Sequence, residues 1–388
     1  MLLNRLTLTD FRNYASLTWR PASRISVLYG PNGSGKTNLL EAVSLLVPGR
    51  GLRGARNAEL PRRGGGGGWA VAGRFLTADG PTDIGTGLRP DSGSERRVFR
   101  LDGTTPRSQG EIAARAAAVW LTPQMDRLFQ EGLSGRRRFL DRLVWALEPT
   151  HAREVAAHDA AMGNRNRLLA DGRDDRAWLA GVEDAIARHA VAVTAARVSL
   201  VERLNIALQS GVVGGFPCAR IGLLCPIADR LVRGPALSVE DWLRAGLEAS
   251  RRRDAVSGST SLGAHRTDLL LEDRASGTPA ALASTGEQRG LLIGTVLAHA
   301  SLIAEARGFA PLLLLDEPVV HLDAARRAAL FEALVKLPGQ TLITGTDLEA
   351  FLPLSGHAEA LRTDDGSLHS DRRFAVAGET FAPVPTTL

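Results

Sequence analysis

A glycine-rich loop at residues 30–37 constrains this chain more than any other part of its sequence. The loop reads Gly30-Pro31-Asn32-Gly33-Ser34-Gly35-Lys36-Thr37 and fits the pattern G-x-x-x-x-G-K-[ST], whose backbone N–H groups surround phosphates at a helix start. The apolar segment 25–29 before it predicts a strand, and residues 37–46 have helical spacing. We therefore predict an ATP site that extends through Asn38, with Lys36 on the β- and γ-phosphates and Thr37 on Mg²⁺.

The choice of basic residues supports this assignment. The chain has 47 basic residues, and all except Lys36 and Lys336 are arginines. A compact ammonium on a flexible stem differs chemically from a planar guanidinium. The retention of lysine inside the loop therefore indicates that position 36 requires an ammonium group.

Two carboxylates follow the apolar segment 312–315. This segment predicts a buried strand, and its carboxyl end carries Asp316 and Glu317. In α/β sheets, ligands bind at the carboxyl ends of the strands. We expect Asp316 to hold Mg²⁺ and Glu317 to orient and deprotonate the attacking water.

The segment Ser284-Thr285-Gly286-Glu287 lies between the loop and this strand and has two interpretations. Ser284 and Glu287 have the spacing of a capping box that opens a helix. In ABC-type ATPases, a Ser-x-Gly at a helix start binds the γ-phosphate held by a second subunit. Both can hold together, and the position of the segment favours Ser284 and Gly286 as nucleotide contacts across a dimer interface.

Three further positions match the ABC-type pattern more loosely. Asp323 is where these ATPases have an aspartate that crosses the dimer interface, and Gln124 is near their Mg²⁺-sensing glutamine. They often have a histidine after the last strand, but Thr344 and Thr346 stand there instead. We expect one of these threonines to contact phosphate. Because the imidazole is replaced, we also expect weak ATP hydrolysis, which favours a DNA clamp over a motor protein.

The order of predicted elements indicates one ATPase domain split by an arm. Residues 1–130 predict the first half with a small antiparallel sheet, and 131–258 predict a mainly helical insertion. Residues 259–388 predict the second half, with 341–343 as the last core strand. The predicted fold is α/β, an ABC-type P-loop ATPase head with an inserted α-helical arm.

Arginine clusters suggest a nucleic-acid surface. The net charge is +5, and cations spread along a track bind phosphates without sequence specificity. A solvated, arginine-rich surface is an equally good explanation for any single cluster. The sequence shows no helix-turn-helix or zinc-finger motif, so we do not expect base-specific DNA recognition. The DNA-binding candidates are Arg53, Arg56, Arg136, Arg137 and Arg138, with Arg142, Arg165 and Arg167 further along the arm.

The remaining sequence features predict a cytoplasmic protein. Cys218 and Cys225 have no zinc-site spacing, and we interpret them as reduced thiols. Residues 1–14 include Arg5, Asp10 and Arg12 and no continuous apolar run, unlike a signal peptide. No apolar run in the sequence is long enough for a membrane span.

Several motifs, in order along nearly the whole chain, resemble the RecF family of bacterial DNA replication and repair proteins. The matching segments are Phe11 to Tyr14, Gly30 to Asn38, Gly135 to Asp141, Arg165-Asn166, Gly263 to Leu269, Ser284 to Arg289 and Asp316 to Pro318. The resemblance implies a fold like the heads of Rad50 and SMC proteins, ATP-dependent homodimerisation, DNA binding and slow DNA-stimulated hydrolysis. It also implies work with RecO and RecR in loading RecA at gaps, in association with the nucleoid.

Three alternatives remain at this stage. An SMC- or Rad50-like tether would carry hundreds of residues of heptads, whereas the predicted insertion spans 131–258. The ATPase subunit of a membrane transporter would be expected to have the histidine after the last strand. A binding scaffold with a structural nucleotide remains open.

Overall fold

The computed structural model describes residues 1–88, 96–172, 175–211 and 214–374, which form two compact units. The first unit contains Met1–Asp126, the short segment Gly211–Phe216 and the chain from Thr285 onwards. The second unit contains Arg127–Ser210 and Pro217–Ser284. The chain therefore leaves the first unit, forms the second and returns.

The described residues contain the following elements in chain order. The strands are β1 (Leu2–Phe11), β2 (Tyr14–Trp19), β3 (Ile25–Tyr29), β4 (Trp69–Thr77), β5 (Gly80–Leu88), β6 (Val98–Leu101), β7 (Ala118–Leu121), β8 (Ala219–Leu224), β9 (Asp268–Asp273), β10 (Leu312–Leu315), β11 (Thr341–Gly345), β12 (Ala358–Asp364) and β13 (Ser367–Ser370). The α-helices are α1 (Lys36–Ser44), α2 (Gln109–Arg115), α3 (Leu133–Leu147), α4 (His151–Ala170), α5 (Arg176–Gln209), α6 (Pro226–Arg233), α7 (Ala236–Ser257), α8 (Thr285–Arg307) and α9 (Ala324–Lys336).

A six-stranded sheet in the order β13-β12-β3-β11-β10-β7 forms the centre of the first unit. The five strands from β12 to β7 run parallel, and β13 pairs antiparallel at the edge. The predicted strands at 25–29 and 312–315 are confirmed, since Val27 and Leu314 are fully buried. The prediction that 341–343 is the last core strand is wrong. β12 follows it and pairs in parallel with β3. Its residues from Ala358 to Leu361 are all buried, as in a strand covered on both faces.

A five-stranded antiparallel sheet in the order β2-β1-β4-β5-β6 completes the first unit. Its three later strands confirm the small sheet predicted after residue 69, and the first two strands of the chain extend it. Leu3, Leu6 and Leu8 on β1 are fully buried, whereas Thr9 is exposed. The apolar side chains of β1 thus face the core, and the β1–β2 turn reaches the phosphate loop.

Helix α8 passes through the core of the first unit. Its residues from Gln288 to Ala300 are all buried, which explains its nearly uniform apolar composition. By length and composition alone it is the one membrane-span candidate within the described residues, but most of it is buried inside the protein. A buried core helix accounts for these properties.

The second unit is mainly helical, with α4, α5 and α7 packed together and a two-stranded β8–β9 sheet. One core cluster joins Val191 and Val193 of α5 to Ile227 of α6 and Leu243 of α7. The boundary expected at 258/259 falls at 284/285 in the structure. Strand β9, assigned from sequence to the second half of the ATPase domain, pairs with β8 and therefore belongs to the helical unit.

Arg165 of α4 is buried in this second unit and is not available as a phosphate contact. Its side chain is 0% exposed, and its Nε and Nη1 donate to Glu183 at 3.0 Å and Asp254 at 2.8 Å. Further donations reach Thr260 Oγ1 and the carbonyl oxygen of Leu247. This side chain therefore joins three helices of the arm, because a buried guanidinium needs its charge and its donors matched.

Candidate nucleotide site

The phosphate loop connects the carboxyl end of β3 to the start of α1 through left-handed glycines. Gly30, Gly33 and Gly35 have backbone φ angles of 147°, 84° and 107°, which residues other than glycine rarely adopt. A Cβ on Gly30 would lie 2.7 Å from the carbonyl oxygen of Thr363, so strand β12 leaves no room there. The glycine spacing thus follows from backbone conformation and close packing.

Lys36 is the first residue of α1 and lies inside the loop. Its side chain donates from Nζ to the carbonyl oxygens of Gly30 at 2.8 Å and Pro31 at 2.9 Å. The residue is 4% exposed, and burial lowers its pKa, while the nearby charges of Glu317 and Asp316 oppose that shift. The ammonium is therefore held within the loop, near both carboxylates, and its contact with phosphate stays a prediction.

The β1–β2 turn braces the outer side of the loop. Asn13 donates from Nδ2 to the carbonyl oxygen of Ser34 at 3.3 Å, and Tyr14 donates from its hydroxyl to that of Gly35 at 3.1 Å. Asn38 donates to Asn13 Oδ1 at 2.8 Å. These hydrogen bonds fix the backbone of the loop at Ser34 and Gly35. Sequence reasoning gave no role to Asn13 or Tyr14, although they lie in one of the matching motifs.

Thr37 and Asp316 form the candidate Mg²⁺ centre. Thr37 donates from Oγ1 to Asp316 Oδ1 at 2.9 Å, and Asp316 is 3% exposed at the end of β10. A hydroxyl beside a carboxylate supplies the hard oxygen ligands that Mg²⁺ prefers, with the remaining positions left to water and phosphate. The structure therefore brings together the two residues predicted from sequence to bind the metal.

Glu317 occupies a left-handed backbone conformation with a φ of 49°. Its N–H donates to Thr344 Oγ1 at 2.9 Å, and Thr344 donates to Asp316 Oδ1 at 2.8 Å. The Thr344 hydroxyl therefore bonds both Asp316 and Glu317. Thr346 is exposed and follows the last residue of β11. The expectation that one of these two threonines contacts phosphate stays a prediction.

The start of α8 and the turn before α9 lie side by side. A Cβ on Gly286 would lie 3.3 Å from the carbonyl oxygen of His321, so a larger residue would be tight there. Asp323 is the N-cap of α9 and accepts from the Arg326 N–H at 2.8 Å. Ser284 immediately precedes α8. The structure therefore places Gly286 next to the turn that leads to Asp323, and their contact with a nucleotide across a dimer stays a prediction.

Gln124 is exposed in the short 3₁₀ turn Pro123–Arg127, which follows β7. The turn is tied to α8, because Asp126 accepts from Arg289 Nη1 at 2.6 Å and 2.5 Å through its two oxygens. Sequence reasoning missed Arg289, which is 1% exposed. Arginine is common throughout this chain, so its residue type gave no signal that this one is buried.

Arg53, a DNA-binding candidate, contacts helix α1 next to the phosphate loop. Its Nη1 donates to Asn38 Oδ1 at 2.7 Å and to Glu41 Oε2 at 3.3 Å. Glu41 is fully buried and also receives two hydrogen bonds from Arg12, both of 2.8 Å. Two guanidinium groups thus balance one buried carboxylate on α1.

The other arginine candidates differ in how their side chains are engaged. Arg136 donates to Asp268 at 2.6 Å and 3.1 Å and to the carbonyl oxygen of Glu131, so its charge is paired within the protein, and its role as a DNA contact stays a prediction. Arg137 is half-buried, and burial lowers its pKa. Arg56 and Arg138 are exposed and remain the better candidates.

The chain is similar to known sequences over most of its length. The family model “AAA domain, putative AbiEii toxin, Type IV TA system” matches residues 25–139, a range that includes the phosphate loop. A protein of Mesorhizobium japonicum named “DNA replication and repair protein RecF” is 46% identical over 368 residues, covering 94% of this chain and 97% of its own length. A protein of the same name from Agrobacterium fabrum is 44% identical over 369 residues, with 94% and 98% coverage.

Comparison with solved structures supports the fold. The recombination mediator protein RecF-ATP in the RecFOR pathway superimposes with a TM-score of 0.80 at 23% identity, covering 95% of this chain and 99% of its own. An Smc head domain from Pyrococcus furiosus, bound to the C-terminal domain of ScpA, superimposes with a TM-score of 0.51 at 15% identity and 95% coverage of both chains. The predicted fold class, an ABC-type ATPase head with a helical arm, is confirmed.

Proposed function

The chain belongs to the RecF family of DNA replication and repair proteins, and from this premise we propose that it is an ATP-dependent DNA-binding clamp of recombinational repair. Mg-ATP binding drives two copies together on DNA, and slow DNA-stimulated hydrolysis releases them. Its partners in this role are RecO and RecR, with which it acts to load RecA at gaps in the cytoplasm, on the nucleoid. A solved relative is described as part of the RecFOR pathway, which supports this choice of partners.

The observation that carries the proposal is the convergence of two distant segments on one site. Thr37 and Asp316 are joined by a hydrogen bond of 2.9 Å, with Lys36 and Glu317 close enough to influence each other electrostatically. In phosphoryl transfer, catalysis consists mainly of positioning and charge stabilisation. This arrangement supports Lys36 on the β- and γ-phosphates, Mg²⁺ on Thr37 and Asp316, and Glu317 as the base that orients the attacking water.

Pairing of two copies explains the residues that lie outside this cradle. The start of α8, with Ser284 and Gly286, offers backbone N–H groups and a positive helix end to an anion. In the proposed dimer, this end and Asp323 face the γ-phosphate held by the other copy. Hydrolysis then requires the dimer, which suits a protein that releases DNA on a slow timescale.

DNA binding is proposed to use exposed arginines that contact phosphates and do not read bases. Arg56 in the first unit and Arg138 in the second are exposed, and the chain carries a net charge of +5. Contacts of this kind act on phosphates and weaken steeply with salt. We therefore expect affinity for DNA of any sequence.

A tether of the SMC or Rad50 kind is the second candidate, and the similarity to an Smc head favours it at the level of the fold. The longest helix among the described residues is α5, with 34 residues. Such a helix spans only about 50 Å at 1.5 Å per residue. The arm is thus too short for a long coiled-coil tether, and a clamp is the better proposal.

The proposal is tested by DNA binding in the presence of different nucleotides. Fluorescence anisotropy of a labelled gapped duplex is measured with Mg-ATP, with Mg-ADP and without nucleotide. We expect tight binding only with Mg-ATP, and no difference between duplexes of unrelated sequence. Equal affinity under all three conditions would contradict an ATP-dependent clamp.

A further inference from the structure

The backbone of Glu317 is held on both sides by buried side chains. A glutamate at a φ of 49° is in a sparsely populated region, which persists only where the surrounding structure enforces it. Its N–H donates to Thr344 Oγ1 at 2.9 Å, and its carbonyl oxygen accepts from Arg289 Nη2 at 2.5 Å. Both peptide groups that flank the Glu317 side chain are therefore fixed.

The hydroxyl group of Thr344 both accepts and donates a hydrogen bond. It accepts from the Glu317 N–H and donates to Asp316 Oδ1, the same oxygen that accepts from Thr37. The residue is fully buried at the end of β11, where neighbouring strands hold it. One hydroxyl thus sets the position of Glu317 relative to the Mg²⁺ ligands.

Arg289 connects Glu317 to two other segments of the first unit. Besides the Glu317 carbonyl, it donates from Nε to the Pro318 carbonyl at 3.3 Å and forms the ion pair with Asp126, two residues after Gln124. Arg289 also lies three residues after Gly286, about one turn along α8. The same guanidinium therefore contacts the turn of the catalytic carboxylate and the turn of Gln124, and it belongs to the helix that would meet the partner's nucleotide.

We propose that Thr344 and Arg289 form a backbone clamp that positions Glu317, and that Arg289 couples pairing to hydrolysis. Thr344 fixes the N-terminal side of Glu317 to the metal centre of its own copy. Arg289 carries any movement of the start of α8, caused by contact with the nucleotide of the other copy, to the carbonyl of Glu317. The proposal rests on the proposed function and adds the means by which dimer formation regulates the same site. Both side chains are positioning residues, since neither reaches the reacting atoms.

The first test replaces the Thr344 hydroxyl with a methyl group. Thr344→Val removes both hydrogen bonds with little change in volume, while Thr344→Ser retains them. Thr341→Val is the matched control, because Thr341 is buried on the same strand and its Oγ1 has no hydrogen-bond partner within the described residues. We expect unchanged ATP affinity in all three variants and a kcat about a hundredfold lower in Thr344→Val only, as for a misplaced catalytic group.

Two results would overturn the role of Thr344. One is a Thr344→Val protein that hydrolyses ATP at the wild-type rate. The other is a parallel loss of ATP affinity and kcat in both Thr344→Val and Thr344→Ser, which would indicate that the residue acts through packing of its methyl group and not through its hydroxyl. Absence of ATP hydrolysis in the wild-type protein would instead contradict the proposed function, so the two failures are distinguishable.

The second test addresses coupling through Arg289→Lys. Lysine keeps a positive charge beside Asp126, but its single ammonium lacks the planar fork that holds the carbonyls of Glu317 and Pro318. We expect ATP-dependent pairing at wild-type protein concentrations, a lower kcat, and a dimer lifetime longer by the same factor. An Arg289→Lys dimer that dissociates as fast as the wild-type dimer after ATP is withdrawn would disprove the coupling. If Arg289→Lys does not fold, Thr344→Val still tests whether the backbone clamp positions Glu317.

Discussion

Thr37 and Asp316 lie 279 residues apart in the chain, and a hydrogen bond of 2.9 Å joins Thr37 Oγ1 to Asp316 Oδ1. The phosphate loop places the first residue at the start of α1, and the parallel pairing of β11 with both β3 and β10 brings the second to the same edge of the sheet. The second unit is inserted in the chain between these two residues, and both still reach the same edge of the sheet. The proposed chemistry depends on this contact, because it defines where Mg²⁺ would bind between the loop and the carboxylates.

Lys36→Ala is expected to abolish ATP binding. Charge-assisted hydrogen bonds contribute about 1.5–3 kcal/mol each, so the loss of two phosphate contacts should raise the Kd for ATP by at least about a hundredfold. Titration with a fluorescent ATP analogue measures this change. Lys336→Ala is the matched control, since the chain's other lysine is exposed and pairs with Glu332. Wild-type affinity in Lys36→Ala would contradict the assignment of the loop.

Glu317→Gln is expected to bind ATP normally and to accumulate as a dimer. The amide keeps the shape of the side chain but cannot accept the proton of the attacking water, so hydrolysis should fall by about 10²–10⁴-fold. Single-turnover hydrolysis and the mass of the complex in Mg-ATP are the measurements. A Glu317→Gln protein that stays monomeric with ATP would argue against the paired site, and one that hydrolyses ATP normally would remove Glu317 from the mechanism.

Arg138→Ala is expected to weaken DNA binding without reducing stability. Removal of one phosphate contact should lower the slope of log K against log salt by about 0.9. The measurement is the Kd for a short duplex at several salt concentrations, in Mg-ATP. Arg188→Ala serves as the control, because Arg188 is also an exposed arginine of the second unit but pairs with Asp184 on α5. Identical slopes for the wild type and Arg138→Ala would exclude this contact.

Arg165→Met is expected to destabilise the second unit. The substitution leaves the buried carboxylates of Glu183 and Asp254 without this guanidinium, at a cost of about 3–5 kcal/mol in the free energy of unfolding. Urea unfolding monitored by circular dichroism measures the change. A stability equal to that of the wild type, combined with weaker DNA binding, would restore Arg165 to the list of phosphate contacts.

The parts of the fold that sequence predicted well are those governed by local rules. The loop and the strands at 25–29 and 312–315 follow from glycine conformation and continuous apolar runs, which depend little on distant residues. The boundary near 258 was placed wrongly, because β9 pairs with β8 through a register that no local pattern reveals. Strand β12 was missed for a related reason, since Glu359 and Arg362 interrupt its apolar residues and its place in the sheet depends on pairing with β3, far away in the chain.

The candidate site shows the same division. Lys36, Thr37, Asp316 and Glu317 were predicted from motif and spacing, and the structure brings them together. Arg289 and Arg165 could not be distinguished from the other arginines, because the burial of a guanidinium depends on carboxylates contributed by other segments. Thr344 was one of two threonines proposed as a phosphate contact, and sequence reasoning did not foresee that its hydroxyl bonds Asp316 and Glu317, a geometry set by the pairing of β11 with β10.

The central claim is that the site around Lys36 is completed by a second copy, and sedimentation velocity tests it most directly. The wild type and Ser284→Arg are compared without nucleotide, with Mg-ATP, and with Mg-ATP and a short duplex. We predict a wild-type monomer that becomes a dimer with Mg-ATP and more completely with duplex, and a Ser284→Arg protein that binds ATP but remains monomeric. A wild-type protein that stays monomeric at every concentration with saturating Mg-ATP and duplex would contradict the account.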